Sequence, residues 1–185
     1  MIVRKAVQQD AEPIATYILL AMEEIVFQFI GEKNRKKAKE FMLRFVKEKG
    51  NQYSYEYCWI LEDEGEVVAA ALVYGGDELE KLRAPISAYI ESVFNIKFDF
   101  EDETQAGEIY IDCVGVNPDK QGRGIGSKLF KFLIQEYVIK QKQTLGLLVD
   151  EDNPGARRLY LRMGFKAVGY KDFAGKKMEH LQFKA

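Results

Sequence analysis

Histidine occurs once in this chain, at position 180, and cysteine twice, at 58 and 113. A single histidine excludes a histidine-rich metal site and argues against an obligatory Ser-His-Asp or Cys-His constellation. Both cysteines fall in strand-like runs, so they read as buried, reduced thiols rather than a disulfide framework. Neither sign of charge prevails. Lys plus Arg number 27 against 29 Asp plus Glu, a net charge of -2, which offers no basic surface for nucleic acid. Charged residues break up the apolar runs, so neither a membrane span nor a secretory segment is expected and the chain reads as soluble and cytoplasmic.

What remains is enough for one domain with a substantial core, 1–185. Ile2 to Val7 reads as a strand, with Asp10 capping the helix that follows. Ile14, Ile18, Ala21, Ile25 and Phe29 share one face of that helix. A second helix turns Ala38, Phe41, Met42, Phe45 and Val46 inward. Tyr53–Leu61 and Val67–Tyr74 form two strands. Leu79, Leu82, Ile86, Ile90 and Val93 have helical spacing, though Pro85 should kink or divide the element. Ile96 to Gly107 reads as a loop, its acidic residues Asp99, Glu101, Asp102 and Glu103 either solvated or attracting a cationic amine such as a polyamine. Glu108 to Val116 is the central strand, Leu145 to Val149 another, and Asn153-Pro154 are matched helix-start signals. A terminal hairpin turns at Ala174-Gly175. The order describes an α/β fold with a mixed sheet.

Between the central strand and the next helix stands Q-G-R-G-I-G, Gln121 to Gly126. Three glycines remove side chains that would hold an anion off the backbone. The first turn of the following helix leaves N–H groups free, with the positive end of the helix dipole behind them. A diphosphate suits such a pocket. A Walker loop would need Gly-Lys-Ser/Thr, whereas Gly126 precedes Ser127 and Lys128. A Rossmann fingerprint counted from Gly122 would need glycine in place of Ser127.

The run V-G-V-N-P-D-K-Q-G-R-G-I-G-S-K-L, Val114 to Leu129, resembles the acyl-CoA signature of the GNAT superfamily of N-acyltransferases. N-P-G-A-R-R-L-Y-L-R-M-G-F, Asn153 to Phe165, is similar to that family's second block, and Ile2 to Asp10 to its opening strand. Together these cover about half of the chain. The resemblance implies a single domain with a mostly antiparallel sheet flanked by helices, in which the central strand pair splays apart. It implies acetyl-CoA as acyl donor, no metal, and an amine acceptor, either a small molecule or a peptide, in a monomer or homodimer that binds neither nucleic acid nor membrane. A protein that binds acyl-CoA without turnover stays open as the alternative.

Carried over residue by residue, the family pattern puts the pantetheine arm along the main chain of Val114, Gly115 and Val116. The diphosphate falls on the backbone of Gln121, Gly122, Arg123, Gly124, Ile125, Gly126 and Ser127. Arg123 and Lys128 could add charge or be simply solvated. Asn153 caps its helix and lies near the cofactor. Tyr160 is placed as the acid that protonates the leaving thiolate, unless it only packs beside Leu159 and Met163. The glutamate that some relatives carry five residues before the asparagine is Leu148 here. A base must then be sought elsewhere, and Asp112 and Glu108 share a strand face with Tyr110 and Val114 by two-residue periodicity. Asp112 in an apolar strand needs a partner, and is either structural or the base. The segment 75–107 is longer than the usual link and reads as a lid or pocket wall.

Overall fold

Seven strands form one sheet in the order β1-β2-β3-β4-β5-β7-β6 in the computed structural model, which describes residues 1–97 and 99–184. The strands are β1 (Ile2–Lys5), β2 (Cys58–Asp63), β3 (Glu66–Gly75), β4 (Ile109–Val116), β5 (Leu145–Asp150), β6 (Lys166–Phe173) and β7 (Lys176–Phe183). Neighbours run antiparallel except β4 and β5, which are parallel. Helices α1 (Ala11–Ile30), α2 (Arg35–Lys47) and α3 (Leu79–Phe94) build a core on one face, and α4 (Ile125–Leu133) and α5 (Pro154–Met163) flank the other. This is the expected mixed, mostly antiparallel α/β architecture.

Local signals placed several elements correctly. All five inward residues of α2 are buried. Asn153 accepts from the Ala156 N–H at 3.1 Å, with Pro154 opening α5. Ala174 (φ 52°) and Gly175 (φ 76°) turn the last hairpin.

Elsewhere tertiary packing overrides the local pattern. In α1, Ile14, Ile18 and Phe29 are buried, but Ala21 is exposed and Ile25 only half-buried, while Met22 and Val26 take the inner face. A break at Met22 (φ −138°, ψ 28°) advances the buried stripe by one residue. Gln8–Ile30 is also long and apolar enough, by length and composition, to cross a membrane, contrary to expectation. Half of that stretch is buried, and α1 packs on β3 and β4 as the core helix.

Asp10 does not cap α1 with its side chain. Its carboxylate accepts instead from the Val7 N–H at 2.8 Å and from Arg4 at 2.7 and 3.0 Å, fastening the turn after β1. Residues 55–57 form a 3₁₀ turn, so β2 begins only at Cys58. Pro85 sits inside an undivided α3. Pro85 and Lys81 lie on the exposed side, where water can solvate the carbonyl that proline leaves unpaired. After Leu133 the chain continues as a π-helix, Ile134–Lys140. The change of phase buries Val138, while Tyr137 is half-buried and accepts from the Trp59 indole N–H at 2.9 Å.

Candidate active site

The pairing of β4 with β5 stops almost as soon as it begins. Among the described residues only Ile109 with Leu145 and Tyr110 with Gly146 are in register, and from Ile111 to Val116 β4 has no described partner on that side. The closed end is held by Glu108, just before β4. Its carboxylate lies 2.8 Å from His180 Nε2, accepts from Gln182 at 2.7 Å and takes the Thr104 hydroxyl at 2.8 Å. Burial resists ionisation of Glu108, yet these three partners prevail and leave its pKa below the ordinary carboxylate value. Main-chain groups past the fork are therefore exposed to whatever enters the gap.

The loop from Gln121 stands beyond the wide end. Gln121, Gly122, Arg123 and Gly124 are exposed, Gly126 and Ser127 half-buried, and Ile125 is sunk into the core as the anchor of α4. Gly124 is the N-cap of α4 in the left-handed region (φ 74°), a conformation that suits glycine. No side chain caps α4. Its first N–H groups thus keep their capacity for an outside acceptor, which is what a diphosphate requires. The Lys128 ammonium donates to the Met1 carbonyl at 2.8 Å. Gly115 is fixed by packing: a Cβ there would collide with the Tyr17 carbonyl of α1.

A cavity of about 660 Å³ meets the gap on the α1 side. The break at Met22 turns Leu20 to Ile25 towards it, which accounts for the exposure of Ala21. Its opposite wall is the β6–β7 hairpin at Phe173, Ala174 and Lys176. The lining is acidic. Glu23, Glu24, Glu103, Asp112, Asp150 and Asp152 contribute carboxylates, and Lys176 is the single basic residue among the described residues of the lining. Lys176 is itself paired with Asp150.

Asp112 lies in that lining and keeps a partly accessible surface. Its Oδ2 accepts from Gln52 Nε2 and from the Tyr74 hydroxyl, both at 2.8 Å. Burial pushes its pKa up, against the lowering effects of Gln52, Tyr74 and Arg83. Asp112 also occupies a bulge, since Leu72 pairs with Cys113 and Val73 with Ile111. The inserted residue corrects the expected alternation: Tyr110 and Asp112 share the α1 face, but Val114 packs on the α4 side.

Tyr160 and Asn153 line the same cavity from α5. The Tyr160 ring packs on Phe130 (5.0 Å between centroids) and Phe165 (6.2 Å). Burial, with a smaller effect from Cys113, pushes its pKa up to about 12. It therefore carries its proton throughout the physiological range. The structure brings Asp112, Tyr160, Asn153 and Val114 together around one space, and sets Glu108 apart in the clasp.

A family model described as Acetyltransferase (GNAT) family matches residues 19–165. The chain belongs to the GNAT acetyltransferase family. Spermine/spermidine N(1)-acetyltransferase of Bacillus subtilis (strain 168) is 30% identical over 101 residues, 51% of this chain and 66% of that protein. The match thus spans just under two thirds of that relative's length. Among solved structures, the crystal structure of an acetyltransferase superposes with a TM-score of 0.81 at 27% identity, covering 100% of this chain and 99% of the other. An N-acetyltransferase from Staphylococcus aureus Mu50 shares the fold with a TM-score of 0.83 at 18% identity, covering 99% and 100% of the two chains.

Within this GNAT fold two residues take places that the sequence alone does not show. Glu103 belongs to a stretch that reads as solvated loop, yet it is buried at 2% exposure and reaches the cavity. Asp99, Glu101 and Asp102 are exposed as expected. His180 is the partner of Glu108, across a sheet position that no local pattern encodes. Among the described residues no group of three or more His, Cys, Asp or Glu could hold a metal ion.

Proposed function

We propose that this protein transfers an acetyl group from acetyl-CoA directly to a primary amine of a small cationic molecule of the polyamine type. One observation carries the choice of acceptor: six carboxylates and one lysine line the cavity beside the strand gap, and although Glu23, Glu24, Glu103 and Asp150 are paired with Arg35, Lys33, Arg83 and Lys176, Asp112 and Asp152 have no ion pair among the described residues. Such a lining attracts ammonium groups and disfavours anionic acceptors. The likeness to a spermine/spermidine acetyltransferase supports the same reading.

When bound, acetyl-CoA supplies an acetyl group already activated as a thioester. The N–H groups of Gln121 to Ser127 receive its diphosphate, and the main chain of Val114 to Val116 pairs with the pantetheine arm as an added strand would. A main-chain N–H at Val114 stabilises the developing oxyanion, an effect worth about 3 kcal/mol for one well-placed donor. Asp112 takes a proton from the acceptor's ammonium, since an alkylamine of pKa about 10.4 is almost wholly protonated at neutral pH. Tyr160 holds a proton at its hydroxyl for the departing sulfur. Neither cysteine acts as nucleophile, because burial pushes both thiols up and keeps them protonated.

Thiol release from acetyl-CoA, measured with spermidine, a neutral amide and an acidic amino acid as acceptors, tests this reading. Release with spermidine far above the other two is expected. Equal background rates with all three would refute it.

A further inference from the structure

Two carboxylates, not one, meet at the floor of the cavity. Gln52 Nε2 lies 2.8 Å from Asp112 Oδ2 and 2.7 Å from Glu103 Oε1. The Tyr74 hydroxyl lies 2.8 Å from the same Asp112 oxygen and 3.2 Å from the same Glu103 oxygen. One amide and one phenol therefore tie the two acids together. Gln52 Nε2 also lies 3.0 Å from the Tyr74 hydroxyl, so the two amide protons and one phenol proton are shared among these contacts.

Glu103 arrives there because Arg83 of α3 grips the loop that carries it. The guanidinium pairs with the Glu103 carboxylate, donates to the Phe100 and Glu101 carbonyls at 3.3 Å each, and reaches Asp102 Oδ1 at 3.0 Å. The same loop is fastened to the hairpin wall by the Ala174 N–H, 3.2 Å from Glu101 Oε2, and by Lys171, 3.3 Å from the Asp102 carbonyl. So the segment between β3 and β4 delivers a charge to the reacting end of the cavity. Asp112 differs from Glu103 in having no cation of its own. Its Oδ1 makes no hydrogen bond among the described residues and is left to the cavity.

Resting on the proposed acetyl transfer, we propose that Asp112 and Glu103, bridged by Gln52 and Tyr74, form a paired-carboxylate seat for the acceptor's ammonium group. Asp112 is the catalytic member. One N–H bond of the ammonium breaks, its electron pair stays on nitrogen, and the proton passes to Asp112 Oδ1. Glu103 is a positioning residue. It places a second acid beside Asp112, on the same two donors, and Arg83 holds it there. Tyr53, Cys58, Tyr110 and Cys113 also face Asp112, and burial pushes all four up, so they stay neutral where the seat works. The charged neighbours are then Glu103 and, behind it, Arg83.

The test is the pH dependence of kcat/KM with spermidine as acceptor, alongside acetyl-CoA binding by calorimetry, for the full-length protein and its E103Q and D112N variants. In E103Q the acid limb should move to lower pH by about one unit, because a like charge that raises the Asp112 pKa is gone and Arg83 is released. In D112N kcat/KM should fall at least about 100-fold, with acetyl-CoA affinity within twofold of the unsubstituted protein. Glu103→Asp should restore most of the limb. If E103Q does not fold, Gln52→Leu tests the bridge without removing a charge: loss of a donor to Asp112 should move the limb upward. A folded E103Q, or Q52L in its place, with an unmoved acid limb in an active enzyme would overturn the seat alone. An unsubstituted protein that acetylates no amine would overturn the proposed function together with it.

Discussion

Glu108 lies 2.8 Å from His180, and the contact passes over Gly146, where any Cβ would run into the Glu108 carboxylate. Three strands meet at this point: the start of β4, β5 at Gly146 and β7 at His180. The clasp shuts one end of the β4–β5 pair and defines where the strands begin to part. The gap is therefore a built feature of the sheet, hinged on a carboxylate.

Glu108→Gln should weaken the fold without touching the base. A loss of about 2–3 kcal/mol is expected for a buried, charge-assisted contact, read by denaturant unfolding. Because the folded-state pKa of Glu108 is depressed, its stabilisation is present above the unfolded carboxylate pKa and is lost as pH falls through the folded one. The stability gap between the two proteins should hold steady above about pH 5 and shrink in more acidic solution. A shifted acid limb of the rate profile in the variant would instead return Glu108 to the chemistry.

Gly146→Ala drives a Cβ into the same carboxylate. A lowered melting temperature and a loss of at least about 2 kcal/mol are expected, since neither β5 nor the Glu108 clasp has room to give. An unchanged melting temperature would mean that the clasp is looser than described.

Gly126→Asp separates binding from stability at the diphosphate loop. The nearest atom to a Cβ there is Val116 Cγ2 at 3.9 Å, so the side chain fits. A carboxylate in the first turn of α4 favours the helix dipole, and the melting temperature should not fall. It also repels a diphosphate, and acetyl-CoA affinity should drop at least about tenfold. Unaltered affinity by calorimetry would move the diphosphate elsewhere.

Tyr160→Phe keeps the packing on Phe130 and Phe165 and removes only the hydroxyl. Turnover should fall about 100-fold or more, as for loss of a general acid, while acetyl-CoA affinity stays within a few-fold. Full turnover in the variant would leave Tyr160 as a packing residue.

How much of this the sequence disclosed depends on the range of the cause. Asn153-Pro154, the Ala174-Gly175 turn and the glycine loop are settled by residues within a few positions, and they read correctly. The break at Met22, the bulge at Asp112 and the π-helix after Leu133 each insert or shift one residue. Such shifts answer to packing across the sheet, so periodicity carried through them points the wrong side chains inward. Val114 is the clearest instance. Glu103 was hidden for another reason: an acidic loop resembles solvated chain unless its cation, Arg83, is known to lie twenty residues away in sequence and adjacent in space. The position and conformation of the glycine loop were thus legible, and the floor of the cavity was not.

The most direct measurement is the rate of CoA thiol release by the purified protein given acetyl-CoA and spermidine, with mass analysis of the amine. Saturable release matched one-to-one by monoacetylated spermidine, and reduced at least about 100-fold in Asp112→Asn, is the predicted result. Release of thiol without acetylated amine, or none at all despite bound acetyl-CoA, would contradict the account.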